Sequence, residues 1–317
     1  MSYAIVFPGQ GAQQTGMGRD LYDEFPAARA AFESADDALG FRLSEIIFEG
    51  PEEKLQQTAF TQPAILTMSI AVFRALTIDK GFALSPVYMA GHSLGEYTAL
   101  VASGALSLKE GVRLVHLRGK LMQDAVPMGQ GAMAAIIGLL PNEVVSLCEE
   151  ASEGKVCQAA NFNSPGQTVI SGHTEAIERA VSIAKQKGAK RAVMLKVSAP
   201  FHCELLKPVA PLLKDAAEKC SWSKPSCQII ANYSAEPVFA EDDIIKALSK
   251  QTYMPVLWSD TIDYMVKTGT DSFFELGPGK VLSGLIKRTV KNAHVLSVSS
   301  SASFNQVPSF LEEVDNQ

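Results

Sequence analysis

The sequence predicts an α/β fold in which a core with a parallel sheet contains a small inserted unit. Two observations predict it. Apolar, strand-like runs alternate with helical patterns through the first 126 residues, which is typical of a parallel sheet covered by helices. From about residue 127 the order of elements becomes βαββαβ, which suits a ferredoxin-like unit. We therefore expect a core formed by residues 1–126 and 199–317, with a ferredoxin-like subdomain at 127–198.

The core elements follow from short apolar runs and from helical periodicity. The chain after the subdomain is mostly helical, and the tail after Ser299 is expected to be loosely structured. The strands predicted for the core are Tyr3–Phe7, Val87–Ala90, Gln228–Asn232, Asp271–Glu275 and His294–Val298. The helices predicted before the subdomain are Ala27–Ala38, Pro63–Leu76, Glu96–Ala102 and Leu108–Val126.

The subdomain elements are shorter and are separated by clear turn signals. Asn163-Ser164-Pro165-Gly166 predicts a turn between the second and third strands, and Gly188 ends the second helix. The predicted strands are Met133–Ile137, Val156–Ala160, Thr168–Ser171 and Arg191–Val197, and the helices are Asn142–Glu150 and Glu175–Lys187.

Composition and charge exclude several classes of protein. The chain has 317 residues, 47% of them hydrophobic and 20% charged, which is ordinary for a soluble globular protein. A net charge of −6 argues against a general nucleic-acid-binding surface. No secretory signal is visible, and the longest apolar stretch, Ala64–Phe73, is too short to span a bilayer. Five cysteines without a C-x-x-C pair favour a reduced, cytoplasmic protein. We expect neither a membrane nor a nucleic acid as a partner.

The stretch Gly91-His92-Ser93-Leu94-Gly95 has the form G-x-S-x-G and lies between a predicted strand and a predicted helix. So tight a turn forces the serine into a strained backbone conformation, and its glycines allow strand and helix to pass close together. Free N–H groups at the helix start suit a developing oxyanion. Ser93 is therefore the predicted nucleophile. The alternative is an ordinary strand-to-helix turn that contains a serine.

Of the five histidines that could take the proton from Ser93, His202 is the predicted general base. It lies where the chain leaves the subdomain and re-enters the core, so we expect it over the crevice between them. The alternative is a structural histidine with a satisfied hydrogen bond. His116, by contrast, shares a helical face with charged residues, which predicts exposure to solvent. The five are His92, His116, His173, His202 and His294.

No acidic residue between Ser93 and His202 fits the place of the acid in a catalytic triad. Most of them lie on polar faces or at the ends of predicted helices. Glu96 is interpreted as a first-turn charge favoured by the helix dipole. A serine–histidine pair can still work if a main-chain carbonyl accepts the other imidazole N–H.

Arg118 lies on the apolar face of its helix, whose start is fixed by a capping box of Ser107 and Glu110. Because an isolated buried guanidinium is very unfavourable, Arg118 should have an anionic partner. One possibility is a salt bridge to an internal Asp or Glu. The other is a carboxylate on the substrate, held by the planar guanidinium through two hydrogen bonds. With Ser93, the second possibility predicts acyl transfer from a substrate that has a free carboxylate.

Three other kinds of site can be compared with the sequence: a dinucleotide-binding loop, a cysteine nucleophile and a zinc site. The loop 9–14 begins like a dinucleotide-binding motif but lacks its third glycine, so we interpret it as an oxyanion loop. Cys203, next to His202, is interpreted as a packing residue, because adjacent side chains seldom converge. No His/Cys cluster has zinc spacing, and we expect neither a metal nor another cofactor.

A family resemblance covers nearly the whole chain. It rests on FPGQGAQ (7–13), TQPAI (61–65), GHSLGEY (91–97), RGKLMQ (118–123), NFNSPGQTVISG (161–172), APFHC (199–203), QTYMPVLW (251–258) and FELGPGK (274–280). In these stretches the sequence resembles the bacterial malonyl-CoA:acyl carrier protein transacylases. The resemblance implies a hydrolase-like core with a ferredoxin-like insertion.

The resemblance also implies the roles of individual residues. By it, Ser93 forms the acyl ester, His202 is the base and Arg118 binds the malonyl carboxylate.

Four further residues are implied by the resemblance alone. Gln10 and Leu94 supply the N–H groups of the oxyanion hole, and Asn161 lines the site. Gln251 supports the histidine through its carbonyl oxygen, which would replace the missing acid.

The implied reaction moves a malonyl group from malonyl-CoA to the phosphopantetheine thiol of acyl carrier protein, through a Ser93 acyl-enzyme, for fatty acid synthesis. An acidic carrier would dock transiently on a basic patch. One alternative is a carboxylester hydrolase, which the lifetime of the acyl-enzyme in water would identify. Another is a non-catalytic or dinucleotide-binding module, which absence of acylation at Ser93 would support. The two candidate patches are Lys280, Lys287, Arg288 and Lys291, or Lys187, Lys190 and Arg191.

Overall fold

The computed structural model describes residues 2–197 and 199–316, the last two by their backbone only. The strands are β1 Tyr3–Phe7, β2 Tyr88–Gly91, β3 Gly131–Ile137, β4 Cys157–Ser164, β5 Gln167–His173, β6 Arg191–Met194, β7 Gln228–Ile230, β8 Pro237–Val238, β9 Ser272–Leu276 and β10 His294–Val298. The helices are α1 Arg19–Glu24, α2 Pro26–Leu39, α3 Leu43–Glu49, α4 Glu52–Leu55, α5 Thr58–Arg74, α6 Leu94–Ala102, α7 Leu108–Asp124, α8 Pro141–Ser152, α9 Thr174–Gln186, α10 Val209–Ala217, α11 Glu241–Gln251, α12 Trp258–Lys267, α13 Val281–Thr289 and α14 Val307–Asn316. Three shorter helical turns are the π-helical Ala75–Asp79 and the 3₁₀ turns Glu204–Leu206 and Ser301–Gln306.

The large sheet has the strand order β10-β9-β1-β2-β7-β8. Neighbouring strands are parallel except for β7 and β8, which form an antiparallel pair at one edge. All five residues of β1 are buried, as expected of a strand covered on both faces. From β1 the chain continues to β2 on one side, and it later returns to β9 on the other. The loops after β1 and β2 therefore open at a reversal of strand order, where α/β sheets bind their ligands.

Helix α5 lies in the core and packs against α2 and α7. With the π-helical turn it forms a segment, Thr58–Asp79, that is long and apolar enough to cross a membrane. However, 83% of its most apolar 18-residue window is buried inside the protein. It is therefore a helix of the protein core.

The small sheet has four antiparallel strands in the order β4-β5-β3-β6. Its elements follow along the chain as β3, α8, β4, β5, α9 and β6, which is the order that the sequence predicts. Both helices pack against it over a separate apolar core that contains Ile136, Leu147 and Ile177. Of the two expected boundaries of this unit, the one at residue 198 lies outside the described residues.

Side-chain and backbone contacts join the small sheet to the rest of the protein. Met122 of α7, Phe201 and residues of β3 belong to one buried apolar cluster between the two sheets. The Phe162 N–H donates to the Val256 carbonyl at 2.9 Å, and the Val256 N–H donates to the Ala160 carbonyl at 2.8 Å. Strand β4 is thus held directly against the chain that leads into α12.

The sequence predicts a helix from Pro63, but α5 begins five residues earlier, at Thr58. Proline favours the first turn of a helix, since inside one it leaves the carbonyl of residue i−4 without a donor. Here that carbonyl belongs to Ala59, and the Nδ1–H of His116 donates to it at 2.7 Å. His116 also packs against two phenylalanine rings, so its predicted place on a solvated face is wrong.

The prediction of a loose tail after Ser299 is also wrong. A 3₁₀ turn and α14 follow, and the apolar side chains of this segment face the core. The ring of Phe310 lies 5.2 Å from that of Phe274 in β9, centroid to centroid. Phe304, Val307, Phe310 and Val314 are spaced three or four residues apart, which is a helical pattern within a polar segment. Most other predicted elements differ from the structure only at their ends.

Candidate active site

The nucleophile candidate lies on a strained turn between β2 and α6. Ser93 has φ 51° and ψ −106°, in the left-handed half of the map that a residue with a side chain rarely adopts. A Cβ on Gly91 would lie 1.9 Å from the Gly95 carbonyl carbon, and one on Gly95 would lie 2.1 Å from the Phe7 carbonyl oxygen. Both positions therefore require glycine, because the backbones of strand and helix are in direct contact there and leave no room for a side chain.

The side chains of Ser93 and His202 are in hydrogen-bond contact, with Oγ 2.7 Å from Nε2. The other ring nitrogen, Nδ1, lies 2.8 Å from the main-chain carbonyl of Gln251. Because a carbonyl can only accept, the hydrogen belongs on Nδ1, and the lone pair of Nε2 faces the serine hydroxyl. Burial and the positive charge of Arg118 lower the pKa of His202 to about 3. The imidazole is therefore neutral, and able to accept a proton, at neutral pH.

Arg118 of α7 is buried, with 1% of its surface exposed, and its guanidinium reaches the same serine. Its Nη2 donates to Ser93 Oγ at 3.1 Å and to Gln251 Oε1 at 2.9 Å, and its Nη1 donates to Gln62 Oε1 at 2.7 Å. The Nε has no acceptor among the described residues, and none of their carboxylates forms an ion pair with Arg118. The structure thus gives no support to the internal salt bridge, since every acceptor of this guanidinium is neutral.

The two predicted oxyanion donors lie at the start of α6 and in the loop after β1. The N–H groups of Gly95 and Glu96 are bonded to the carbonyls of His92 and Ser93. That of Leu94, the first residue of the helix, has no acceptor within residues 2–197 and 199–316. Gln10 and Leu94 line one cavity together with Ser93 and His202.

This cavity has a volume of about 310 Å³ and lies between the two sheets. Its lining includes the buried side chains of Arg118 and Gln62 and, from α13, Leu282. From the small sheet, Asn161 and Asn163 of β4 contribute amide side chains. Asn163 Oδ1 lies 2.8 Å from Nε2 of His92, the histidine of the turn. Every residue predicted for the site therefore lines the cavity except Gln251, which lies behind Ser93 and His202.

Three residues of this site were missed or misread from the sequence. Gln62, an acceptor for Arg118, lies in the TQPAI stretch that carries the resemblance. Asn232 Oδ1 accepts the Ser93 N–H at 2.6 Å, although nothing in the sequence around it signals such a contact. Glu96 lies in the first turn of α6, as interpreted, but it is a buried side chain with 1% of its surface exposed. Its Oε2 accepts from the side chain of Gln251 and from the backbone of Asn232.

The thiol beside the predicted base is not part of the site. Cys203 is buried, its Sγ donates to the Pro200 carbonyl at 3.3 Å, and burial raises its pKa to about 11. Nor, among the described residues, is any group of three or more His, Cys, Asp or Glu side chains placed to hold a metal ion.

Fold and site together define the class of protein. The family model described as the acyl transferase domain matches residues 4–316, which is nearly the whole chain. The chain is thus an acyl transferase.

Comparison with individual relatives shows which acyl transferases the chain is similar to. The malonyl CoA-acyl carrier protein transacylase of Haemophilus influenzae is 47% identical over 309 residues, which are 98% of this chain and 99% of the relative. The solved transacylase of the same name from Coxiella burnetii is 44% identical and superimposes with a TM-score of 0.95 over 98% of each chain. A malonyl-transacylase solved in complex with its type II PKS acyl-carrier protein is 44% identical, with a TM-score of 0.94 over 96% of this chain and 98% of its own. The chain belongs to the malonyl CoA-acyl carrier protein transacylases.

Proposed function

We propose that the protein transfers a malonyl group from malonyl-CoA to the phosphopantetheine thiol of acyl carrier protein, and so supplies the extender unit for fatty acid synthesis. The transfer proceeds through an ester on Ser93. One observation carries the proposal. A buried arginine, which pairs with no carboxylate among the described residues, lies 3.1 Å from a serine that is in hydrogen-bond contact with a neutral histidine.

In the first half-reaction, Ser93 Oγ attacks the thioester carbonyl of malonyl-CoA while His202 Nε2 takes its proton. The N–H groups of Gln10 and Leu94 stabilise the oxyanion of the tetrahedral intermediate. When the carbon–sulfur bond breaks, His202 returns the proton to the departing CoA thiolate. The carbonyl of Gln251 accepts the Nδ1–H throughout and stabilises the imidazolium that forms in between.

In the second half-reaction the carrier thiol takes the place of the CoA thiol. His202 removes its proton, the sulfur attacks the ester carbonyl, and the proton then passes to Ser93 Oγ as the ester bond breaks. Because both half-reactions use the same groups, no additional cofactor is required.

Arg118 selects the acyl group that Ser93 accepts. A malonyl ester places a free carboxylate one methylene beyond the ester carbonyl, next to the guanidinium that already contacts Ser93 Oγ. The charged pair satisfies a cation that otherwise has only neutral acceptors. The amide of Asn161 lines the cavity beside this position.

The Gln251 carbonyl that accepts from His202 also argues against the hydrolase alternative. A carboxylester hydrolase of this fold class has a carboxylate at that place, whereas here the partner of Nδ1 is the Gln251 carbonyl. The relatives that match along the whole chain are named transacylases. Transfer to a thiol is therefore the better account than hydrolysis.

The finer architectural assignments belong to the same proposal. The strand order β4-β5-β3-β6 supports a ferredoxin-like subdomain at 127–198, inserted in a hydrolase-like core formed by residues 1–126 and 199–317. We also place the protein in the cytoplasm, and the family resemblance implies that its carrier partner is acidic. All seven residues of the two candidate docking patches are exposed, which leaves both patches open to that partner.

Intact-mass measurement after mixing with malonyl-CoA tests the proposal. Wild type should gain the mass of one malonyl group, and peptide mapping should place it on Ser93. Ser93→Ala should gain nothing while keeping its fold, because it loses a small hydroxyl at the surface of a cavity. Ser103→Ala, in the next serine along the chain, is the matched control and should load like wild type. A malonyl group that persists on Ser93→Ala would refute the assignment.

A further inference from the structure

A buried carboxylate lies behind the site, and the proposed reaction does not use it. Glu96 has 1% of its surface exposed, and a single oxygen, Oε2, accepts two hydrogen bonds. One comes from the Asn232 backbone N–H and the other from Gln251 Nε2, both at 2.9 Å. No Lys or Arg of the described chain is in ion-pair contact with it. A carboxylate charge buried this deeply is unfavourable for folding. Its presence here therefore suggests a functional role, which its two hydrogen bonds indicate.

The first of these bonds fixes a residue that holds both ends of the strained turn. Asn232 Oδ1 accepts the Ser93 N–H at 2.6 Å, and its Nδ2 donates to the Gly91 carbonyl at 2.7 Å. The backbone conformation of Ser93 is unfavourable on its own and persists only because its surroundings impose it. Glu96 thus acts on the nucleophile through Asn232.

The second bond fixes the residue that connects the base, the nucleophile and the arginine. Gln251 Nε2 donates both to Glu96 and to the Ser93 carbonyl, and its Oε1 accepts from Arg118. Its main-chain carbonyl accepts from His202. The side-chain amide has only one satisfactory orientation, with the nitrogen facing two acceptors and the oxygen facing a donor. Glu96 is one of the two groups that impose it.

We propose that Glu96 is a positioning residue for acyl transfer, acting through Asn232 and Gln251 to hold Ser93, His202 and Arg118 in their reactive arrangement. The inference rests on the proposed function in so far as Ser93 is the reacting group.

The protonation state of Glu96 determines how strongly its carboxyl group holds Asn232 and Gln251. Burial raises its pKa to about 7, against the opposing effects of its two hydrogen bonds and of Arg118 on α7. The charge of Glu96 acts in turn on its neighbour Tyr97, but burial raises the pKa of Tyr97 to about 12, so this phenol stays neutral. The other elements packed against α6 are β1, β2 and β7, which contain no charged residue, and α5, whose one charged residue is Arg74 at its C-terminal end.

The protonated carboxyl can still accept both bonds, but without the added strength of a charged acceptor. Glu96→Gln therefore imitates the protonated form, with the amide oxygen in place of Oε2. Glu275→Gln is the matched control. Glu275 is likewise buried and accepts hydrogen bonds from the backbone N–H groups of Leu282 and Ser283, but it has no hydrogen bond to Ser93, His202, Arg118 or Gln251 among the described residues.

The test measures Ser93 reactivity in single turnover between pH 5.5 and 8.5 with two reagents. One is malonyl-CoA. The other is a small alkyl fluorophosphonate, whose phosphorus bonds to Ser93 Oγ while fluoride leaves with the serine proton, by way of His202. With both, the wild-type rate should rise about tenfold as pH passes through 7. Glu96→Gln should stay at the low-pH rate throughout, with an unchanged half-saturating concentration of malonyl-CoA. Glu275→Gln should follow wild type.

The outcomes separate the two proposals. If the fluorophosphonate shows this pattern while wild type forms no malonyl ester, the positioning role stands and the proposed function fails. If malonyl loading occurs but Glu96→Gln matches wild type in rate and pH dependence, the positioning role is overturned. It is also overturned if Glu275→Gln loses as much reactivity as Glu96→Gln, because burial of a carboxylate alone would then explain the loss. A wild type that reacts with neither reagent overturns both.

Discussion

Replacing Arg118 by alanine should change the choice of acyl group more than it changes the chemistry. The guanidinium is buried, its acceptors among the described residues are all neutral, and it lies 3.1 Å from Ser93 Oγ. In the malonyl ester it would hold the free carboxylate in a site closed to water. Truncating one partner of such a pair removes about 2–5 kcal/mol, which corresponds to roughly 30- to 5,000-fold in the rate of malonyl loading.

An acetyl group has no carboxylate and makes no such contact. Its loading should therefore fall much less, or even rise, because the buried positive charge also lowers the pKa of His202 and so its strength as a base. The malonyl-to-acetyl ratio of loading rates isolates the contact, since damage to the serine or the base affects both substrates alike.

The assay is single-turnover loading followed by intact mass, with malonyl-CoA and acetyl-CoA under the same conditions. Arg113→Ala is the matched control: it makes the same substitution on the same helix at an exposed position, where the side chain donates to the Ala38 carbonyl. It should leave the ratio at the wild-type value. If the ratio in Arg118→Ala stays within a factor of about three of wild type, less than 1 kcal/mol, Arg118 does not select the substrate.

Three further outcomes are expected. His202→Ala should slow malonyl loading by roughly 10²–10⁴-fold, measured in single turnover, and a rate near wild type would mean that another residue is the base. Because the pKa of Glu96 rises from 4.5 to about 7 on folding, wild type should lose up to about 3 kcal/mol of stability relative to Glu96→Gln as pH rises from 4.5 past 7. Denaturant unfolding at several pH values measures this, and a difference that does not vary with pH would contradict it. Charge reversal at the docking patch should raise the KM for carrier protein in a salt-dependent way and leave the KM for malonyl-CoA unchanged. If charge reversal in neither candidate patch changes the KM for carrier protein, both patches are ruled out as the docking site. The residues to reverse are Lys280, Lys287, Arg288 and Lys291 in one patch and Lys187, Lys190 and Arg191 in the other.

Local sequence patterns predicted those parts of the fold in which residue spacing within one segment determines the structure. The G-x-S-x-G spacing between strand and helix predicts the strained turn at Ser93, and the structure has it. The βαββαβ order of the small unit follows from alternating periodicities and is also observed. The burial of Arg118 follows from helix geometry alone.

The features that the sequence could not predict depend on contacts between distant segments. Helix α5 continues through Pro63 because His116, 57 positions after Ala59, satisfies the carbonyl that the proline leaves free. The sequence shows Glu96 only as a first-turn charge because its partners, 136 and 155 positions later in the chain, give no local signal. The last helix packs on β9 through Phe310 and Phe274, but its apolar residues lie within a polar composition that is typical of loose tails.

The central claim is that a malonyl ester on Ser93 passes to a thiol rather than to water. It is tested most directly by isolating the malonyl-enzyme and mixing it with holo acyl carrier protein, with the apo carrier, which lacks the thiol, as control. Intact mass of both proteins over time is the readout. The account predicts that the ester disappears with the holo carrier, that an equal amount of malonyl group appears on the carrier, and that the ester persists with the apo carrier. Loss of the ester at the same rate with both carriers, with free malonate as the product, would contradict it.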